Sequence, residues 1–113
     1  MIIYHNPRCR KSRETLELLK SNGVEPEVVK YLETPLSADQ LKSLLKKLDI
    51  DATELLRKGE KEYKENYKGK DLSEKDAINA MVKFPKLMER PIVVKGNSAV
   101  IGRPPENVLA LLK

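Results

Sequence analysis

Two rhythms of apolar and polar residues divide this chain into short strands and amphipathic helices. Ile2-Ile3-Tyr4 is an apolar run of strand type. A polar loop follows, and then Leu16, Leu18 and Leu19 mark the inner side of a helix. Asn22-Gly23 should end it, because glycine suits the left-handed position after a helix. Beyond Pro26, the run Glu27-Val28-Val29-Lys30-Tyr31 is rich in strand formers. Thr34-Pro35 marks a loop. Ser37 and Gln40 have capping-box spacing, and Leu41, Leu44, Leu45 and Leu48 recur at i, i+3, i+4 and i+7. This is the clearest amphipathic helix in the chain. Asp51 with Glu54 opens a short helix holding Leu55 and Leu56, and the polar stretch Lys58 to Asp71 is predicted to be helical in part and mobile in part. Ser73 with Asp76 opens another helix, with Ile78, Met81 and Val82 on one face and Pro85 ending it. Ile92-Val93-Val94 and Ala99-Val100-Ile101 flank a Gly96-Asn97 hairpin signal. Gly102-Arg103-Pro104-Pro105 leads into a last helix, with Val108, Leu109, Leu111 and Leu112 as its apolar side.

The element order is β-α-β, several helices, then β-β-α. That order predicts an α/β protein of thioredoxin-like fold. Its four-stranded mixed sheet would carry a helical insertion between the N-terminal βαβ and C-terminal ββα units. With 113 residues the chain is expected to form one domain, residues 1–113. No repeat or low-complexity tract interrupts it.

Composition narrows the function classes. Apolar residues make up 40% and charged residues 35% of the chain, as in a solvated globular protein. No apolar run approaches a membrane span, and the strand-like start Ile2-Ile3-Tyr4 leads to the expectation of no signal peptide. One cysteine cannot form an internal disulfide, which points to a reducing, cytoplasmic setting. The net charge of +5 permits an anionic partner. Lysine and glutamate interleave through Lys58 to Glu65, which reads as an exposed helical face. Phe84 is the only phenylalanine, tryptophan is absent, and no nucleic acid is expected as a partner. A single compact domain makes a monomer the default.

The chemistry centres on Cys9, where the first loop meets the first helix. Its neighbours are Arg8, Arg10, Lys11 and Arg13, with His5 four residues earlier. Cations and the free N–H groups of a helix start both favour a thiolate. The bland alternative is a small hydrophobe at a helix start. Cys9-Arg10-Lys11-Ser12 has the spacing of a C-x-x-C redox site with Ser12 in the second position. A second molecule would therefore have to resolve any disulfide or adduct on Cys9. His5 has two open readings: a hydrogen bond near the thiol that helps hold it ionised when protonated, or stabilisation of the loop. One Cys and one His fall short of a zinc site, so no metal is expected. Arg57, Arg90 and Arg103 stand out by position, although each taken singly reads as a surface charge. In a thioredoxin fold the proline before the third strand, Pro91 here, is expected in cis, which places Arg90 next to the nucleophile. Guanidinium forks around a thiolate would bind a tetrahedral oxyanion through paired hydrogen bonds.

These segments together closely resemble the arsenate reductase family that uses glutathione and glutaredoxin. The resemblance is carried by Tyr4-His5-Asn6-Pro7-x-Cys9, Ser12-Arg13-x-Thr15-Leu16, Tyr31-Leu32-Glu33-Thr34-Pro35, Leu55-Leu56-Arg57-Lys58, Arg90-Pro91-Ile92-Val93-Val94 and Arg103-Pro104. It spans essentially the whole chain. It implies Cys9 as nucleophile, His5 as the histidine that assists thiol ionisation, and Arg57, Arg90 and Arg103 as oxyanion-binding arginines, with Ser12 and Pro91 supporting. It also implies an arsenate substrate, a covalent Cys9 thiol–arsenate intermediate, glutathione as co-substrate, glutaredoxin as recycling partner, and no bound cofactor. Arg10-Lys11 stand where the best-known members carry a Gly-Thr pair, and the chain ends at Lys113 without their extended tail. Together with Asn6-Pro7-Arg8-Cys9 and the segment 85–91, this makes the chain most similar to the poorly characterised reductase-like branch. Two other functions are compatible with one thiol on this fold. One is a monothiol thiol-disulfide oxidoreductase, and the other is an Spx-like redox regulator that binds RNA polymerase.

Overall fold

The computed structural model describes residues 1–112, which fall into two compact units. The first comprises Met1–Thr34 and the segment from Arg90 onward, and the second is Pro35–Glu89.

The first unit is built on a four-stranded mixed sheet. Its strands are β1 (Ile2–Tyr4), β2 (Glu27–Val29), β3 (Ile92–Lys95) and β4 (Ser98–Ile101), in the order β2-β1-β3-β4. β1 and β2 are parallel, joined through helix α1 (Arg10–Ser21), whereas β3 runs antiparallel to both β1 and β4. This is the predicted mixed sheet of thioredoxin-like type, with the helical segment falling between β2 and β3. β2 is shorter than the β-rich run suggested. Lys30 leaves the strand and Tyr31 turns inward to complete burial, because an edge strand pairs on one side only and its end is free to bend.

Ile3 lies opposite Val93, and both are fully buried. With Leu19, Val108 and Leu111 they form the core of this unit, and Leu16, Leu18, Val24 and Val100 pack against it. Full burial of a side chain such as Leu19 contributes about 1.5–3 kcal/mol. The last helix differs from expectation. Pro105–Leu112 is a 3-10 helix, and its buried residues are Pro105, Val108 and Leu111. That spacing of three is the 3-10 period, so the inward face repeats each turn. Leu109 and Leu112, assigned inward on an α-helical reading, are only half buried.

The second unit is helical. Helix α2 (Ala38–Leu48) has the predicted capping box: the Gln40 N–H donates to Ser37 Oγ at 3.2 Å, and the Ser37 N–H donates to Gln40 Oε1 at 2.8 Å. Leu41, Leu44 and Leu45 are buried as the periodicity requires. Helix α3 (Ala52–Leu55) is not capped by the Asp51 side chain. The Glu74 carboxylate does that work, accepting the Ala52 N–H at 2.9 and 3.1 Å. Helix α4 (Lys61–Asn66) occupies the middle of the polar stretch. Helix α5 (Glu74–Lys83) starts at Ser73, whose hydroxyl accepts the Asp76 N–H at 3.1 Å. Ala77, Ile78, Ala80 and Met81 form its buried face, and Val82 is exposed. The buried face centres on Ala77 and Met81, and at 3.6 residues per turn Val82 lies about a third of a turn round from it. Pro85–Leu87 is a single 3-10 turn, and Leu56 pairs with Met88 in an antiparallel bridge. Among the described residues no helix is long and apolar enough to cross a membrane.

Candidate active site

Hairpin geometry brings two arginines together. Gly96 sits at φ 60° at the first turn position, a left-handed conformation that glycine adopts without steric cost. The turn sets a register in which Ile92 faces Ile101. Carried one step further, Pro91 meets Gly102, and the Gly102 N–H donates to the Pro91 carbonyl at 2.8 Å. One step beyond that are Arg90 and Arg103, whose Nε donates to the Arg90 carbonyl at 2.7 Å. The Arg90-Pro91 and Arg103-Pro104 peptide bonds are both cis.

β1 delivers the nucleophile beside this pair. The His5 N–H donates to the Val29 carbonyl at 2.8 Å, which ends the strand. The chain then tightens: the Cys9 N–H donates to the Asn6 carbonyl and the Arg8 N–H to Asn6 Oδ1, each at 3.0 Å. Cys9 is the N-cap of α1, in extended conformation, and the Arg13 N–H donates to its carbonyl at 3.0 Å. Arg103 Nη2 reaches Cys9 Sγ at 3.3 Å.

Burial pushes the Cys9 thiol up. The Ser12 backbone N–H, the Arg90 guanidinium acting as donor and charge, and the charge of Arg103 together outweigh it, and the thiol lies below its ordinary value. The cations that act on sulfur are thus the two arginines distant in sequence. Three of the four flanking ones are engaged elsewhere. Arg10 pairs with Glu14 at 2.9 Å, Lys11 stands 3.8 Å from the same carboxylate, and Arg13 donates to the Pro7 carbonyl at 3.0 Å.

Ser12, in the position where a second redox cysteine could stand, is fully buried. Its Oγ accepts the Asn6 N–H at 3.0 Å and lies 2.6 Å from His5 Nδ1. His5 therefore engages Ser12, which borders Cys9 through its backbone N–H. Burial lowers the His5 pKa first, and the charges of Lys30, Arg13 and Lys20 lower it further. A neutral ring with Nδ1 accepting from the Ser12 hydroxyl satisfies that environment.

Arg57 belongs to the second unit. Its N–H donates to the Leu87 carbonyl at 2.7 Å, and the Glu89 N–H donates to the Leu55 carbonyl at 2.9 Å. These contacts flank the Leu56–Met88 bridge and fix the backbone. The guanidinium pairs with Glu60 through Nε at 3.2 Å and with Glu89 through Nη1 at 3.3 Å. The structure thus brings together Cys9, Arg90, Arg103, Pro91, Ser12 and His5 in the first unit. Asn6, which builds the loop, and Thr15 and Gly102 were not singled out as functional from sequence. Nothing in a lone glycine before Arg103 signals how closely other atoms approach it. Among the described residues no group of three or more His, Cys, Asp or Glu side chains could hold a metal ion.

A family model described as "ArsC family" matches residues 4–111, nearly the whole chain. The chain belongs to the ArsC family. Its relatives include YfgD, an uncharacterized protein of Escherichia coli K12, at 62% identity over 97% of this chain and 94% of that one. An arsenate reductase of Haemophilus influenzae is 46% identical, covering 99% of this chain and 98% of its own length. Among solved structures, an arsenate reductase from Vibrio cholerae superposes with a TM-score of 0.92 at 49% identity, covering 96% of this chain and 94% of that one. In this ArsC-family chain, a thiol biased toward thiolate faces two guanidinium groups. That arrangement can supply a nucleophile and positive charge for an anion at one place.

Proposed function

We propose that this protein is an arsenate reductase that uses glutathione and glutaredoxin. The observation that carries the reading is Cys9 Sγ at 3.3 Å from Arg103 Nη2, with Arg90 also acting on the sulfur. The thiolate attacks arsenic and forms a sulfur–arsenic bond as water leaves. Arg90 and Arg103 stabilise the charge on the oxyanion. From the resemblance carried by Leu55-Leu56-Arg57-Lys58, the proposal includes Arg57 as a third substrate-binding arginine, which would have to leave Glu60 and Glu89 to serve. Glutathione then supplies the second thiol. Arsenate, the Cys9 thiol and glutathione give arsenite, water and a Cys9–glutathione disulfide, the two electrons coming from the two sulfurs. The chain has no other cysteine, so glutaredoxin reduces that disulfide from outside. A cytoplasmic location, where glutathione is abundant and thiols stay reduced, fits this cycle.

Mass spectrometry of Cys9 after exposure to arsenate, with and without glutathione, tests the proposal. The expected products are an arsenate adduct without glutathione and a mixed disulfide with it. Arsenite should accumulate when glutaredoxin is added. No adduct and no arsenite, with Cys9→Ser behaving like the parent protein, would sink the reading. Turnover of a model glutathione mixed disulfide, with no arsenite formed, would favour a monothiol oxidoreductase instead.

A further inference from the structure

Gly102 has no room for a side chain. A Cβ there would stand 2.7 Å from Thr15 Oγ1, 3.0 Å from Thr15 Cγ2 and 2.9 Å from Pro91 Cγ. Thr15 is fully buried and Pro91 nearly so, and neither can swing away into solvent. Hydrogen bonds hold the same three residues. The single Thr15 O–H is shared between the Lys11 carbonyl at 2.8 Å and the Gly102 carbonyl at 3.3 Å. The Gly102 N–H donates to the Pro91 carbonyl at 2.8 Å. Each residue adjoins the site through the chain. Thr15 lies in α1, whose N-cap is Cys9; Pro91 follows Arg90; Gly102 precedes Arg103.

Taking Cys9 as the reactive thiol, we infer that Gly102, Thr15 and Pro91 form a spacer that sets the distance from the Cys9 sulfur to the Arg90 and Arg103 guanidinium groups. They are positioning residues for the thiolate. Ordinary contact begins at 3.4 Å. A methyl group on Gly102 therefore has to separate helix from hairpin end by roughly 0.7 Å in a close-packed interior. The Arg103–Cys9 contact of 3.3 Å, opened by that amount, reaches about 4 Å, where the interaction is much weaker. Closure to the present distance needs glycine at this position.

The test compares Gly102→Ala, Thr15→Val and the double variant Gly102→Ala/Thr15→Ala. Thiolate ultraviolet absorbance is followed against pH in the folded proteins, together with urea unfolding. Gly102→Ala should raise the Cys9 pKa by about half a unit or more, a roughly threefold loss of thiolate below the midpoint. Thr15→Ala in that background removes two of the three clashing atoms and should bring the pKa part of the way back. Thr15→Val adds no volume at Gly102 but deletes the hydroxyl that ties the helix to it. It should raise the pKa in a fold that forms even if Gly102→Ala does not. Variants that lose stability while keeping the parent Cys9 pKa would overturn the spacer. A parent protein with an ordinary thiol pKa would instead overturn the reading of Cys9 on which the spacer depends.

Discussion

Replacing Arg103 with methionine isolates what one guanidinium does for the thiol. The variant keeps a long flexible stem while deleting the charge and both hydrogen bonds, Nη2 to Cys9 Sγ at 3.3 Å and Nε to the Arg90 carbonyl at 2.7 Å. An isolated charge pair at about 4 Å would be worth about 4 kcal/mol at an intermediate dielectric. Cys9 is only half buried, so solvent screens it. The low end of the range for a hydrogen bond to a charged group, about 1.5 kcal/mol, is the better guide. At 1.36 kcal/mol per unit, this raises the Cys9 pKa by about one unit. Two effects then compete in the reaction with an aromatic disulfide reagent. Below both midpoints the thiolate fraction falls about tenfold, while each thiolate becomes about threefold more nucleophilic because reactivity rises with basicity. At pH values below both midpoints the variant should react about threefold more slowly, and on the alkaline plateau faster than the parent, so the two pH–rate profiles cross. Coincident midpoints would refute the electrostatic account of Cys9. A uniform scaling of the whole profile would point to altered access, and would refute it equally.

Ser12→Ala removes the acceptor for the Asn6 N–H and the partner of His5 Nδ1, and should cost about 1–3 kcal/mol in urea unfolding with α1 intact by circular dichroism. The lowered His5 pKa has a definite sign in stability. The folded state resists a proton that the unfolded chain accepts, so stability is full above the ordinary histidine value of 6.5 and falls as pH drops from there toward the lowered folded value. His5→Gln should flatten that part of the stability–pH curve relative to the parent, and an unchanged slope would assign it to other groups. Glu74→Ala should destabilise the second unit by about 1 kcal/mol through loss of the α3 cap, whereas Asp51→Ala, whose side chain caps nothing, should fall within about 0.5 kcal/mol of the parent.

Much of the site was legible because its markers are local. Cys9 at a strand–loop–helix junction, proline after Arg90 and glycine in the hairpin turn all follow from neighbouring residues and backbone sterics. The same holds for the Ser37–Gln40 capping box, whose two partners are three residues apart. Long-range partners were not legible. Glu74 caps α3 from 22 residues away, and no spacing rule links it to Ala52. Glu60 and Glu89 hold the Arg57 guanidinium, and only the second could not be found by helical spacing.

By itself the sequence determined the order of strands and helices and a single thiol with no second cysteine to pair with. Periodicity and residue type act over a few positions, and they suffice for that. Tertiary structure decided which charges act on the thiol. The cations nearest Cys9 along the chain look decisive in one dimension, yet three of the four are turned to other partners: Arg10 and Lys11 face Glu14, and Arg13 faces the loop carbonyl of Pro7. The hairpin register and the bare Cα of Gly102 instead bring Arg90 and Arg103 to the sulfur. Electrostatic influence falls with distance through space, and only the packed sheet sets that distance.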